Sequence, residues 1–179
     1  MNLDDYLSLY HRLNATREAP MRHLVILTLL ILVLAQAVHA QSDEETAVAA
    51  VLDDLHEAAS EADGERYFNL YADNAIFLGT DITERWTIDA FKAYAQARFD
   101  QGQGWTYVPQ SRHIYFSPDG NTAWFDEIVR NERFGDTRGS GVLVKVEDQW
   151  KVAQYHLTLP IPNALIYKVV EMIEAQEEQ

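Results

Sequence analysis

The 179-residue chain has no cysteine. This excludes disulfides, a cysteine nucleophile and a lipid-modified cysteine behind a leader, so an exported form must be held by its core alone. Basic residues are scarce, with 14 Lys and Arg against 28 Asp and Glu and a net charge of −14. Without clustered Lys and Arg there is nothing to neutralise phosphates, so nucleic acid and anionic lipid are not expected as partners. No Gly-rich phosphate loop joins a strand to a helix and no nucleophile elbow occurs, which argues against nucleotide hydrolysis and serine chemistry. His56, His113 and His156 fall on separate elements with no metal-ligand spacing, so neither metal nor cofactor is expected. Internal repeats and an interdomain linker are also missing.

The longest hydrophobic run, Leu24 to Val38, comes after the basic Met21-Arg22-His23 and precedes Val38-His39-Ala40. That is the three-part pattern of a secretory signal peptide over 21–40, cleaved after Ala40. A membrane anchor is the competing reading. The run of about 15 residues falls short of the roughly 20 a spanning helix needs, and no later segment offers a stable span. Residues 1–20 carry mixed charge unlike a signal's leader, which a translation start at Met21 would explain. The first 40 residues hold three basic and three acidic residues, so the net charge of −14 resides beyond Ala40. The expected product is an acidic, periplasmic or secreted single domain over 41–179, large enough for one core.

Within it, Val48, Val51, Leu52, Leu55, Ala59 and Ala62 recur at helical spacing, and Asp63-Gly64 is expected to stop that helix with a left-handed cap. A short helix over about 65–72, a buried strand over 75–79 and a helix capped by Thr87 come next. From Trp105 the period changes to two. Four strands are expected over about 105–117, 122–134, 140–147 and 150–159, joined by short turns as an antiparallel meander. Asn163 is placed as the cap of a last helix with Ile166, Val169, Val170 and Ile173 as its stripe. Helices followed by a meander make an α+β fold.

Four signatures punctuate this order: Gly79-Thr80-Asp81-x-x-Glu84-Arg85-Trp86, Ala123-Trp124-Phe125-Asp126-Glu127, Arg138-Gly139-Ser140-Gly141-Val142-Leu143, and Trp150-Lys151-Val152-x-x-Tyr155-His156-Leu157-Thr158. Together, from about Val48 to Asn163, they resemble the SnoaL-like branch of the nuclear transport factor 2-like superfamily. The resemblance implies a cone, a curved antiparallel sheet wrapped around N-terminal helices with an apolar cavity between them. It also implies a homodimer paired through the outer sheet face, which apolar residues on both strand faces support.

Period two puts Trp124, Asp126 and Ile128 on one face and Phe125, Glu127 and Val129 on the other, so each face carries one carboxylate. A carboxylate inside an apolar cone is the acid or base used by isomerases and dehydratases of the superfamily; an ion pair with Arg138 or Arg130 is the alternative. The same period groups Trp150, Val152, Gln154, His156 and Thr158 against Ala153, Tyr155, Leu157 and Leu159. The resemblance puts His156 where many relatives carry a strand histidine, and a histidine titrates near neutral pH. His156, Asp126 and Glu127 are thus the candidate catalytic residues. Asp81, Trp86, Arg138 and Tyr155 are the candidate ligand contacts, with Trp86, Asp126, Arg138 and His156 expected to border one cavity. The glycines of Gly139-Ser140-Gly141 are read as a bulge or close backbone approach at a sheet bend.

Three functions remain open: a small, largely apolar molecule bound in the cone, cofactor-free isomerase, hydratase or cyclase chemistry, or a dimeric interaction module. One fold hosts all three.

Overall fold

The computed structural model describes residues 3–5, 7–8 and 42–177. The expected signal run over 21–40 and its cleavage site lie outside the described residues. The chain divides into two units, Met1–Glu44 and Glu45–Gln179, and the second contains the sheet and the helices packed on it. No helix among the described residues is long and apolar enough to cross a membrane.

Helix α1 spans 42–61 and buries Val48, Leu52, Leu55, Ala58 and Ala59, the stripe its spacing requires. Each fully buried leucine contributes about 2 kcal/mol. The left-handed residue that ends α1 is Ala62, at φ 58°, just ahead of the expected glycine. Gly64 instead opens α2, Gly64–Asn69, behind Asp63, whose carboxylate accepts the Arg66 N–H at 3.1 Å. Helix α3, Ile88–Phe99, is capped by Thr87 as expected, with Ile88, Phe91, Ala95 and Phe99 buried.

The strands are β1 Tyr71–Leu78, β2 Arg85–Thr87, β3 Val108–Phe116, β4 Thr122–Asn131, β5 Gly135–Val146 and β6 Gln149–Thr158. They form one curved sheet in the order β2-β1-β6-β5-β4-β3. The antiparallel meander β3 to β6 is as expected. The sheet is nonetheless mixed, because β1 pairs parallel with β6 and antiparallel with the short β2. Residues 71 and 72, expected in a helix, belong to β1: Tyr71 faces the core and pairs with Val152. The inner face packs on α1 and α3 through Ala123, Phe125, Val129, Leu143, Trp150, Val152 and Tyr155.

One register shift alters which side chains face inward. Between Val142 and Leu143 the pairing with β6 moves from Gln154 to Val152, leaving Ala153 as an extra residue. An extra residue reverses alternation. Trp150 and Val152 therefore lie on the buried side with Tyr155 and Leu157, not with His156 as strict period two predicts.

After β6, a 3-10 turn at Asn163–Leu165 leads into α4, Ile166–Glu177. Asn163 sits inside that turn, behind Pro162, and makes no side-chain cap. The apolar stripe of α4 is exposed, including Ile166, Val170 and Ile173.

Candidate functional site

Glu127 lies at the centre of the inner face, 1 % exposed. The sheet places it there by simple alternation, between Phe125 and Val129 on β4. Three elements supply its partners. From β6, the Tyr155 hydroxyl donates to Oε1 at 2.8 Å. From α1, His56 Nε2 lies 2.7 Å from the same oxygen. From β3, Arg112 Nε donates to Oε2 at 2.8 Å. Arg112 also donates through Nη1 to Asp53 at 2.8 Å and to the Ala49 carbonyl at 3.2 Å, which ties the sheet to α1.

Burial alone would raise the Glu127 carboxyl. The His56 hydrogen bond, the Arg112 charge and the Tyr155 hydroxyl outweigh it, so the carboxyl stays below its ordinary value and ionised. An ionised carboxylate only accepts, so His56 Nε2 carries the hydrogen and Nδ1 is the nitrogen left for other work. Tyr155 is pushed well above the usual phenol range, by burial first and by the Glu127 charge next.

Gly139 makes room for this cluster. A Cβ on Gly139 would fall on the Tyr155 hydroxyl and come within 2.9 Å of Glu127 Cγ and Oε1. Gly141 is crowded by the Gln154 backbone in the same way. Both glycines are close backbone approaches, as the Gly139-Ser140-Gly141 signature suggests.

Most of the cone is filled with aromatic rings. Tyr67 sits among Phe68, Phe91, Phe99 and Trp105, its hydroxyl 2.9 Å from that of Tyr71. Two adjoining compartments lie among the described residues. The deeper, of about 20 Å³, touches His56, Tyr67 and Tyr155, room for about one water or one ligand oxygen. The outer, of about 170 Å³, has walls of Phe77, Phe91 and Trp105 and a rim of Thr80, Glu84, Tyr94 and Arg98. Phe77, Trp105, Tyr107 and Leu157 line both. His56 and Tyr107 also line a surface groove of about 670 Å³ between α1 and residues 106–109.

Of the sequence-predicted site residues, the structure brings together Glu127 and Tyr155. Asp126, Arg138 and His156 do not border the cone. Asp126 pairs with Ser140 and Ser140 with His156 across the strands, a row on the opposite face from Glu127, Gly139 and Leu157. Asp126 lies 3.4 Å from His113 there, and Arg138 is exposed beside Ile128 and Thr158. Asp81 is exposed and turned to its own loop, accepting the Thr83 N–H at 2.8 Å and hydroxyl at 2.6 Å, bonds that lower its carboxyl. Trp86 is half-buried, opposite Phe77 and stacked on Tyr94 at 5.3 Å, and so backs the chamber wall.

Sequence reasoning missed His56 and Arg112. The signal for His56 was present: with Leu52, Leu55 and Ala59 it completes the buried side of α1. Arg112 shares its strand face with half-buried Ile114 and Phe116. Among the described residues no cluster of His, Asp and Glu is suited to a metal ion.

No curated protein matches the chain. Similar crystal structures include a nuclear transport factor 2-like protein of unknown function from Pseudomonas putida KT2440, 16 % identical, covering 68 % of this chain and 90 % of that one with a TM-score of 0.57. A candidate scytalone dehydratase from Novosphingobium aromaticivorans is 17 % identical over 69 % and 89 %, with a TM-score of 0.58. A candidate dehydratase of the same fold family from Streptomyces avermitilis is 14 % identical over 69 % and 99 %, with a TM-score of 0.56. At these identities the likeness is one of fold. The model of the SnoaL-like domain matches residues 48–162, from the first buried residue of α1 to just past the last strand of the meander, and the chain belongs to that family.

Proposed function

We propose that the protein is exported and binds a small, largely apolar molecule, about one ring in size, in the chamber at the mouth of its cone. The chamber itself carries the reading: about 170 Å³ with aromatic walls, sharing four lining residues with the deeper compartment that His56 and Tyr155 line. A dry cavity of about 150 Å³ holds one benzene. Apolar walls with few convergent polar groups are the usual make-up of a ligand pocket. Benzyl alcohol should titrate saturably in calorimetry and 1-naphthol, with two rings, should not. If neither saturates, the chamber is not a binding site. Export is read at the N-terminus: the natively expressed protein should begin at Gln41. An intact Met1 or Met21 in a cytosolic fraction would overturn that part.

The Glu127–His56 pair favours a second reading, acid-base catalysis. A buried carboxylate that fixes the tautomer of a histidine beside a cavity is how enzymes orient a general base. Two of the structural neighbours are candidate dehydratases, a reaction class such a pair would serve. If His56 abstracts protons, the protein should speed deuterium incorporation into the methyl group of acetophenone. His56→Gln should then lower that rate about 100-fold while leaving benzyl alcohol affinity within a few fold. No acceleration by the unmodified protein returns the site to binding alone.

A further inference from the structure

The rim of the chamber carries one group of each sign. Eleven lysines and arginines lie beyond Ala40, and most are engaged. Arg66 holds Asp54, Glu57 and Glu61, Arg112 holds Asp53 and Glu127, and Arg130 holds Asp136. Lys92, Arg133 and Lys145 lie over aromatic rings, and Lys151 donates to the Asn69 carbonyl. Arg85, Arg98, Arg138 and Lys168 make no side-chain bond to any described residue. Of these four, Arg98 lines the chamber. In a chain with such an excess of acid, a cation left unpaired at a cavity mouth stands apart.

Glu84 lines the same rim and forms no ion pair with a described residue. Its placement is built. The loop closes through the Gly79 N–H to the Glu84 carbonyl at 2.9 Å and the Glu84 N–H to the Asp81 carbonyl at 3.0 Å. Gly79 has no side chain, and Glu84 lies across it: a Cβ there would stand 2.9 Å from Glu84 Cβ and Cδ. Glu84 Oε2 accepts one bond, from the Asp81 N–H at 3.2 Å, which leaves its Oε1 unbonded. Arg98 comes from the last turn of α3, so the two charges sit on separate elements of one mouth and do not bridge each other.

Resting on the binding reading above, we propose that the ligand is a zwitterion, a free α-amino acid with a ring side chain. The ring occupies the aromatic chamber, the carboxylate meets Arg98 and the ammonium meets Glu84. A plain ring carboxylate would be repelled by Glu84, and a plain ring amine would leave Arg98 unpaired. The zwitterion satisfies both charges, and its zero net charge avoids the general repulsion that a strongly acidic protein exerts on anions. Guanidinium and carboxylate form a two-point bond that sets the orientation of the ligand.

The test compares four probes on the purified full chain by calorimetry: L-phenylalanine, 3-phenylpropionate, phenethylamine and benzyl alcohol. Phenylalanine should bind about tenfold or more tighter than either singly charged analogue, the worth of one hydrogen bond to a charged group. Arg98→Gln should weaken phenylalanine by about the same factor and benzyl alcohol, which has no carboxylate, far less. Glu84→Gln, which keeps an acceptor for the Asp81 N–H, should do likewise. Equal affinity for phenylalanine and its analogues, or no effect of either substitution, overturns the inference. Benzyl alcohol binding without phenylalanine binding overturns it too, while the apolar chamber reading survives. If no probe binds, both readings fall together.

Discussion

Glu127→Ala is expected to destabilise the protein by about 3 kcal/mol or more, the cost of removing one partner from a buried charge pair. The magnitude reflects the groups that lose their partner. Arg112, 11 % exposed, would keep Asp53 and the Ala49 carbonyl but lose the acceptor of its Nε. The Tyr155 hydroxyl, buried among apolar rings, would have no described acceptor in place of Glu127. His56 Nε2 would lose its partner as well. Unsatisfied buried donors cost about 1–3 kcal/mol each, so three of them bracket the figure. Glu127→Gln is the informative comparison: it keeps an acceptor oxygen and the shape of the side chain while deleting the charge, and should cost less than alanine. Urea unfolding of the three proteins decides this. A loss below about 0.5 kcal/mol for alanine would show the cluster to be energetically idle, as surface substitutions usually are.

The same carboxyl sets an acid limit. Its folded-state value lies below its ordinary one, so the folded protein holds the proton less tightly than the unfolded chain. The resulting stabilisation is complete above the unfolded value near pH 4.3 and is lost as pH falls through the lower, folded value. In Glu127→Gln that part of the acid dependence should vanish, leaving a flatter stability profile on the acid side.

The order of elements was legible because each announced itself locally: the α1 stripe, the Thr87 cap, the change to period two after Gly104 and the turn at residues 118–121. Partners distant in sequence were not. The parallel β1–β6 pair joins residues some 80 apart, and nothing in either strand marks it. Period two shows that Asp126 and Glu127 face opposite ways without saying which way is in. The deciding clue was the strand opposite, where Gly139 faces Glu127 and Ser140 faces Asp126. A residue without a side chain is needed where a neighbour's side chain lies across the backbone, and this occurs on the packed face. On β6 the one-residue bulge at Ala153 defeated the alternation altogether, separating His156 from Val152 and Trp150. The constellation of His56, Arg112, Glu127 and Tyr155 draws on four elements, so no local signature contains it.

Gly139→Ala is expected to cost about 1–3 kcal/mol, against the sign that strand propensity alone would give. Exchanging glycine for alanine inside a strand ordinarily stabilises by about 0.5–1 kcal/mol, since glycine loses more backbone freedom on folding. Here the new methyl would clash with the Tyr155 hydroxyl and press on Glu127 Cγ and Oε1 at 2.9 Å. Tyr155 cannot swing away without giving up its bond to Glu127, and Glu127 cannot without giving up Arg112 or His56. Overpacking of this kind costs about 1–3 kcal/mol, and the broken hydrogen bond adds to it. Gly141→Ala should be at least as severe, because the atom in its way is the backbone oxygen of Gln154, which has no rotamer to escape into. Ser140→Ala, between them on the opposite face, is the control and should change stability by less than about 0.5 kcal/mol. If Gly139→Ala instead unfolds at higher urea than the unmodified protein, β5 and β4 are not apposed as described. The inner-face assignment of Glu127 would then fall with it.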